Sequence, residues 1–158
     1  MVTVKVKYLH QNAEPISYAK EGDAGIDLRA SGVWVFDLDT DRKEIVAEQY
    51  IIKPGERILI KTGVQIELPQ GYWGNLRDRS GLAGNHGLHT LSGVLDETYR
   101  GEIMVVMVNL GMQSYTIHRN ERVAQLIISC YERASIVASE TLSTTQRGET
   151  GFGHSGRQ

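Results

Sequence analysis

The sequence predicts an all-β domain with one short helix. Three observations point there. Apolar side chains recur at every second position near the start, where Val2, Val4, Val6 and Tyr8 alternate with Thr3, Lys5 and Lys7. Short apolar runs are then cut by turn signals, Pro54-Gly55-Glu56-Arg57 and Pro69-Gln70-Gly71 among them. Finally, 17 glycines against 2 phenylalanines imply many turns and close backbone approaches. A chain of 158 residues suits one domain with a substantial core.

Taken in order, the first strand is broken at Glu14-Pro15-Ile16-Ser17. Gly22-Asp23-Ala24-Gly25-Ile26-Asp27-Leu28 leads into a second, short strand. Asp27 lies between Ile26 and Leu28 and so points away from their side; it either bonds its own turn or faces a ligand. Trp34-Val35-Phe36 is a strand. Asp37, Asp39, Asp41 and Glu48 fall at the first, third, fifth and twelfth positions of a calcium loop, but Arg42 stands where glycine is needed. A solvated loop joining two strands is the better reading of 37–44.

Ile58-Leu59-Ile60 and Val64 to Leu68 read as two strands separated at Thr62-Gly63, and Tyr72 to Leu76 as another. In Arg77-Asp78-Arg79-Ser80-Gly81-Leu82-Ala83, Ser80 caps a short helix whose first N–H groups, with Arg79, offer an anion site. Ile103 to Val108 is apolar at six consecutive positions, which predicts burial on both faces, with 114–117 pairing against it. Arg122 to Ile128 is a strand in which Gln125 is a satisfied core amide or a ligand contact. Ile136-Val137 is the last expected strand.

Composition excludes several functions. The 17 basic and 19 acidic side chains give a net charge of -2 with no basic stripe, which argues against non-specific binding to nucleic acid. No apolar run approaches the ~18 residues of a membrane span, and no signal-peptide core is present at the start. Cys130 stands alone, so neither an internal disulfide nor a cysteine zinc cluster can form. The expectation is a soluble, cytoplasmic protein.

The chemistry concentrates in Gly93-Val94-Leu95-Asp96-Glu97-Thr98-Tyr99-Arg100-Gly101-Glu102. Local composition alone allows an ordinary hairpin. Gly93 also permits close backbone approach, Asp96 is a general base if water is excluded around it, and Tyr99 presents an aromatic face. The tail, Arg147-Gly148-Glu149-Thr150-Gly151-Phe152-Gly153-His154-Ser155-Gly156, has Walker A glycine spacing but neither the lysine nor room for a helix. Its glycines expose N–H groups suited to phosphate, Arg147 supplies charge and Phe152 a stacking face. The alternative is a disordered glycine-rich end.

Together these stretches resemble the trimeric dUTPase family. Its motifs occur in order as Ala24-Gly25-Ile26-Asp27-Leu28, Arg79 to Ala83, Gly93 to Glu102, Arg122-Val123-Ala124-Gln125 and Arg147 to Gly156. The resemblance implies a β jelly-roll over 1–138, a flexible arm or lid over 139–158, and a homotrimer whose sites draw on all three subunits. It implies hydrolysis of dUTP to dUMP and pyrophosphate by a water that Asp96 activates. Tyr99 would pack on deoxyribose, and backbone groups of Gly93 and Val94 would read uracil. Ser80, Gln125 and the backbone of Arg79 and Gly81 would hold the phosphates. Arg147 and Ser155 would close over the γ-phosphate with Phe152 on uracil, beside Gly153. Magnesium would ride on phosphates and water, with Asp27 in the surrounding network. The sequence departs from the family at His154, where serine is usual, and in a longer 31–54 segment. The rivals are a dCTP deaminase, alone or bifunctional, which lacks the glycine-rich motif, and a dUTP-sensing regulatory protein.

Overall fold

The computed structural model describes residues 2–10, 13–91 and 93–149. Its spine is the strand β6 (Arg57–Glu67), whose buried side chains alternate as the sequence pattern requires. One edge of β6 carries β10 (Glu102–Asn109). The other is divided between β1 (Lys5–Tyr8), paired at residues 64–67, and β3 (Val33–Phe36), paired at residues 59–60. With β4 (Lys43–Val46) beyond β3 and β8 (Leu88–Thr90) beyond β10, this makes a six-stranded sheet.

A second sheet of four strands runs β2 (Ile26–Arg29), β12 (Arg122–Cys130), β7 (Tyr72–Asp78), β9 (Val94–Leu95). The strands β5 (Gln49–Ile52) and β11 (Tyr115–His118) form a separate pair. Every pairing among the described residues is antiparallel. Leu28, Leu76 and Leu126 from the four-stranded sheet meet Trp34, Ile58, Ile60, Ile103 and Val105 from the larger one, with Ile52 and Ile117 closing the end. This is a jelly-roll of the all-β class with one helix, α1 (Ser80–His86).

Several expectations change. Residues 57–67 are one strand rather than two: Gly63 takes φ +72 and bends β6 without ending it. The run 103–108 buries Ile103, Val105 and Met107, whereas Met104, Val106 and Val108 on its other face are only half-buried. Strand β11 pairs with β5, not with β10, because the loop after β10 carries the chain across to the short sheet. No strand forms at 136–137; Ile136 is 89% and Val137 81% exposed, and no edge among the described residues pairs with them. Segments 43–46, 49–52, 88–90 and 94–95 are strands too short and polar to show in the sequence pattern. The expected loop is a polar turn over residues 37–42, with Asp37 at φ 53, while 43 and 44 already pair in β4. No helix among the described residues is long and apolar enough to cross a membrane.

One buried amide ties the core ends together. Asn109, fully buried at the end of β10, donates from Nδ2 to the carbonyls of Ile52 (3.1 Å) and Gln113 (2.8 Å). Its Oδ1 accepts from the Gly111 N–H at 2.9 Å. Replacing Asn109 with Ala strands three backbone groups, at about 1–3 kcal/mol for each left unpaired in the interior. Urea unfolding of Asn109→Ala is expected to report a loss of at least ~2 kcal/mol, with the m-value unchanged.

Candidate active site

The four-stranded sheet has one face on the core and one turned outward. Cross-strand partners share a face, so the register Asp27↔Gln125↔Arg77 places these three side chains in one outward row. The next outward row is Ile127, Asn75 and Val94. Inward, Leu126 and Leu76 go to the core. The alternation that hid Asp27 from the apolar side in the sequence therefore delivers it beside Gln125.

Asp27 does not bond its own turn. Its carboxylate, 7% exposed, lies between two guanidinium groups: Arg122 Nη1 donates to Oδ2 at 3.1 Å, and Arg79 Nε stands 3.5 Å from Oδ1. Arg79 also donates from Nη1 to the Arg122 carbonyl at 3.0 Å. A register shift in β12 between Arg122 and Ala124 sets two residues of β12 against one step of β2, and Val123 and Ala124 are both buried. The bulge turns Arg122 towards Asp27. Asp27 Oδ1 and Arg79 Nε are both buried without a hydrogen bond. The two face each other at 3.5 Å as an ion pair without hydrogen-bond geometry.

Helix α1 starts next to this cluster. Ser80 is not its cap: the N-cap is Arg79, in extended conformation (φ -83, ψ 124), with no side-chain cap hydrogen bond. The Arg79 side chain is drawn instead to Asp27 and Arg122, and Ser80 is the first helical residue, exposed on the surface. A Cβ placed on Gly81 would meet nothing within 4 Å, so the helix start is open to solvent. Before it, Asp78 accepts from the Thr90 N–H at 2.6 Å and meets His89 Nδ1 at 2.7 Å. Burial raises the Asp78 pKa, but the His89 and Thr90 hydrogen bonds outweigh it and hold the carboxyl below its usual range. Arg77 and Asp78 had no distinguishing signal in the sequence; only the register and the fold reveal their neighbours.

The segment 93–102 lies at the β9 edge of the same sheet and leads into the other sheet. Since β9 pairs with β7 and β10 with β6 and β8, it is not an ordinary hairpin. The Gly93 carbonyl accepts from Leu76 N–H at 2.8 Å, and Val94 is 68% exposed. Tyr99 donates its hydroxyl to the Glu102 carbonyl at 2.9 Å, which leaves the ring as its presented surface. The ring passes so close to Gly101 that a Cβ there would stand 2.4 Å from the hydroxyl oxygen, so any side chain at 101 would push the Tyr99 ring aside. Asp96 is exposed and lines a groove with Trp73, Val94, Glu97, Thr98, Tyr131 and Arg133. That groove shares no lining residue with the Asp27–Arg79–Arg122–Gln125 cluster. Strand spacing separates the backbone of Asp96 from that of Gln125 by on the order of 16 Å.

Within one chain, then, the structure gathers Asp27, Arg79, Ser80, Gly81 and Gln125 at one place and Gly93, Val94, Asp96 and Tyr99 at another. Arg147 lies in the exposed segment after β12, and Phe152, Gly153, His154 and Ser155 lie outside the described residues. Among the described residues no group of three or more His, Cys, Asp or Glu is placed to hold a metal ion.

Comparison with known proteins gives the same outline. A family model described as dUTPase matches residues 11–156. The deoxyuridine 5'-triphosphate nucleotidohydrolase of Fusobacterium nucleatum subsp. nucleatum is 39% identical over 160 aligned positions, covering 99% of this chain and 100% of that protein. Its counterpart from a Thermoanaerobacter species is 44% identical, covering 89% of this chain and 86% of its own. Among solved structures, the dUTPase of Staphylococcus bacteriophage 80alpha with dUpNHpp superposes with a TM-score of 0.77 at 28% identity, covering 98% of both chains. A model match over nearly the whole length and relatives near 40% identity leave one conclusion, that this chain belongs to the dUTPase family.

Proposed function

We propose that the chain hydrolyses dUTP to dUMP and pyrophosphate, with Asp96 as the base that activates the attacking water. The observation that carries this reading is the cluster on the outer sheet face. Asp27 and Gln125 stand side by side, two guanidinium groups hold the carboxylate, and the open start of α1 adjoins them. In-line attack on phosphorus needs clamps on spreading negative charge, a positioned water and a base. Gln125, Ser80 and the backbone N–H groups of Arg79 and Gly81 supply the clamps, Asp27 the positioning network, and the segment 93–102 the base.

Nucleoside recognition falls to the segment 93–102. The backbone at Gly93 and Val94 reads the uracil edge, and the Tyr99 ring, fixed over Gly101, packs on deoxyribose where a 2′-hydroxyl would collide. Residues 139–158 act as an arm, with Arg147 and Ser155 closing on the γ-phosphate, Phe152 stacked on the base and Gly153 beside it. His154 stands in that arm where the family usually has serine. Magnesium, when bound, neutralises phosphate charge, and the chain's residues fit an ion carried by substrate phosphates and water rather than a protein cage. The orphaned Asp27 Oδ1 is suited to accept a hydrogen bond from such a water.

The site requires more than one chain, and we assign it to a homotrimer. Three observations support this. Asp96 and the phosphate-holding cluster lie apart within a chain. The outer face of the small sheet exposes Val94 and leaves Trp73 and Ile127 half-buried. Ile136 and Val137 have the composition of a strand but pair with no strand among the described residues.

Pyrophosphate release assayed with dUTP and dCTP side by side tests the activity; turnover of dCTP in place of dUTP would overturn it. Asp96→Asn keeps the shape but cannot accept the water's proton, and is expected to lower kcat at least ~100-fold with dUTP binding retained. Tyr99→Ala is expected to admit UTP, measured as a fall in the dUTP/UTP ratio of kcat/KM. For shared sites, Asp96→Ala is refolded with a chain lacking 147–158. Equal mixing in a trimer restores about one site in four if base and arm come from different chains, and none if they come from the same one.

A further inference from the structure

We infer that Tyr115 is a positioning residue for the phosphate-holding start of α1, acting through its ring contact with His86. The inference rests on the dUTP-hydrolysis reading of that site. Helix α1 has seven residues and no side-chain cap, too few to hold its own geometry, so its placement depends on what it touches. Leu82 turns into the core, and Gly87 ends the helix in the left-handed conformation, donating to the carbonyls of Ala83 and Leu82. A Cβ on Gly87 would stand 2.6 Å from Gly111 N, so the helix end rests directly on the loop after β10.

Arg79 anchors the helix start through Asp27 and the Arg122 carbonyl, and a further hold on its last turn is aromatic. The His86 ring, in the last turn, packs on Tyr115 with centroids 4.6 Å apart and planes tilted by 52°. Tyr115 is itself fixed: its hydroxyl donates to Glu121 Oε1 at 2.7 Å, and Glu121 Oε2 accepts from His118 N–H at 2.9 Å. Burial and the Glu121 carboxylate push the Tyr115 phenol up to about 12, so it remains a donor across the working range. Glu121 immediately precedes Arg122, whose guanidinium holds Asp27 and whose carbonyl receives Arg79. One brace thus joins the helix carrying Ser80 and Gly81 to the strand carrying Arg122 and Gln125.

A brace of this kind fixes phosphates and not the nucleoside, which the segment 93–102 receives. The test compares dissociation constants for dUpNHpp with magnesium and for dUMP in the full-length chain. Misplacement by about 1 Å can cost ~100-fold, so Tyr115→Leu is expected to weaken dUpNHpp at least ~10-fold while dUMP stays within about twofold. Tyr115→Phe keeps the ring on His86 but cuts the link to Glu121, and is expected to fall between the parent and Tyr115→Leu for dUpNHpp, with dUMP within about twofold. His86→Ala removes the same contact from the exposed side without opening the core, and should reproduce the selective loss. The double variant should lose no more than the larger single change. Equal losses for both ligands, or no loss in folded His86→Ala, would overturn the role. Failure of the parent chain to bind dUpNHpp would instead remove the dUTP reading, and the role with it.

Discussion

A buried carboxylate must be paired, and the pairing of Asp27 organises this molecule. A charge so nearly sealed from water is costly alone, and it is tolerated because Arg79 and Arg122 converge on it. These residues come from β2, from the step between β7 and α1, and from β12, so the charge cluster locks three distant stretches together. The same requirement explains local irregularities. Arg79 serves as an extended N-cap without giving a capping side chain, because its guanidinium is committed elsewhere. The bulge at Val123 breaks the alternation of β12 so that Arg122 reaches the carboxylate.

The sheet that carries this cluster is finished on one face only. Inward, Leu76 and Leu126 pack as in any sandwich core. Outward, charged Asp27 and Arg77 share a surface with Trp73, Ile127 and Val94. A face mixing fixed charge with large apolar side chains suits a partner surface and a polyanionic ligand better than solvent. The segment 93–102 at the β9 edge adds the Asp96 carboxylate, the Tyr99 ring and the exposed backbone at Val94. The two halves of the proposed chemistry thus lie on separate elements, and the groove of Asp96 shares no lining residue with its own chain's cluster.

The sequence was most legible where periodicity and turn chemistry agree. Trp34-Val35-Phe36, 72–76 and 122–128 became strands, and 37–42 became a polar turn. It misled where a local signal had two physical outcomes. Gly63 reads as a break but serves as a bend inside one strand, since its positive φ is compatible with continued pairing. Six apolar residues at 103–108 read as doubly buried, yet a single chain covers only one face. Residues 136–137 have strand composition, but a strand exists only where another edge accepts its hydrogen bonds. The pairing of β11 with β5 was invisible because partner choice is a long-range decision.

By itself the sequence determined the all-β class, the order of the motif residues and the chemical kinds present: a single aspartate in a glycine-bounded turn, a strand glutamine, a serine at a helix start. These are local properties, set by backbone preference and side-chain chemistry. Tertiary structure decided which of them meet. Register alone put Gln125 beside Asp27, and the β12 bulge and the step from β7 to α1 brought Arg122 and Arg79 to its carboxylate. The fold also set Asp96 apart from that cluster, because strand order fixes the distance between residues that sequence proximity leaves open.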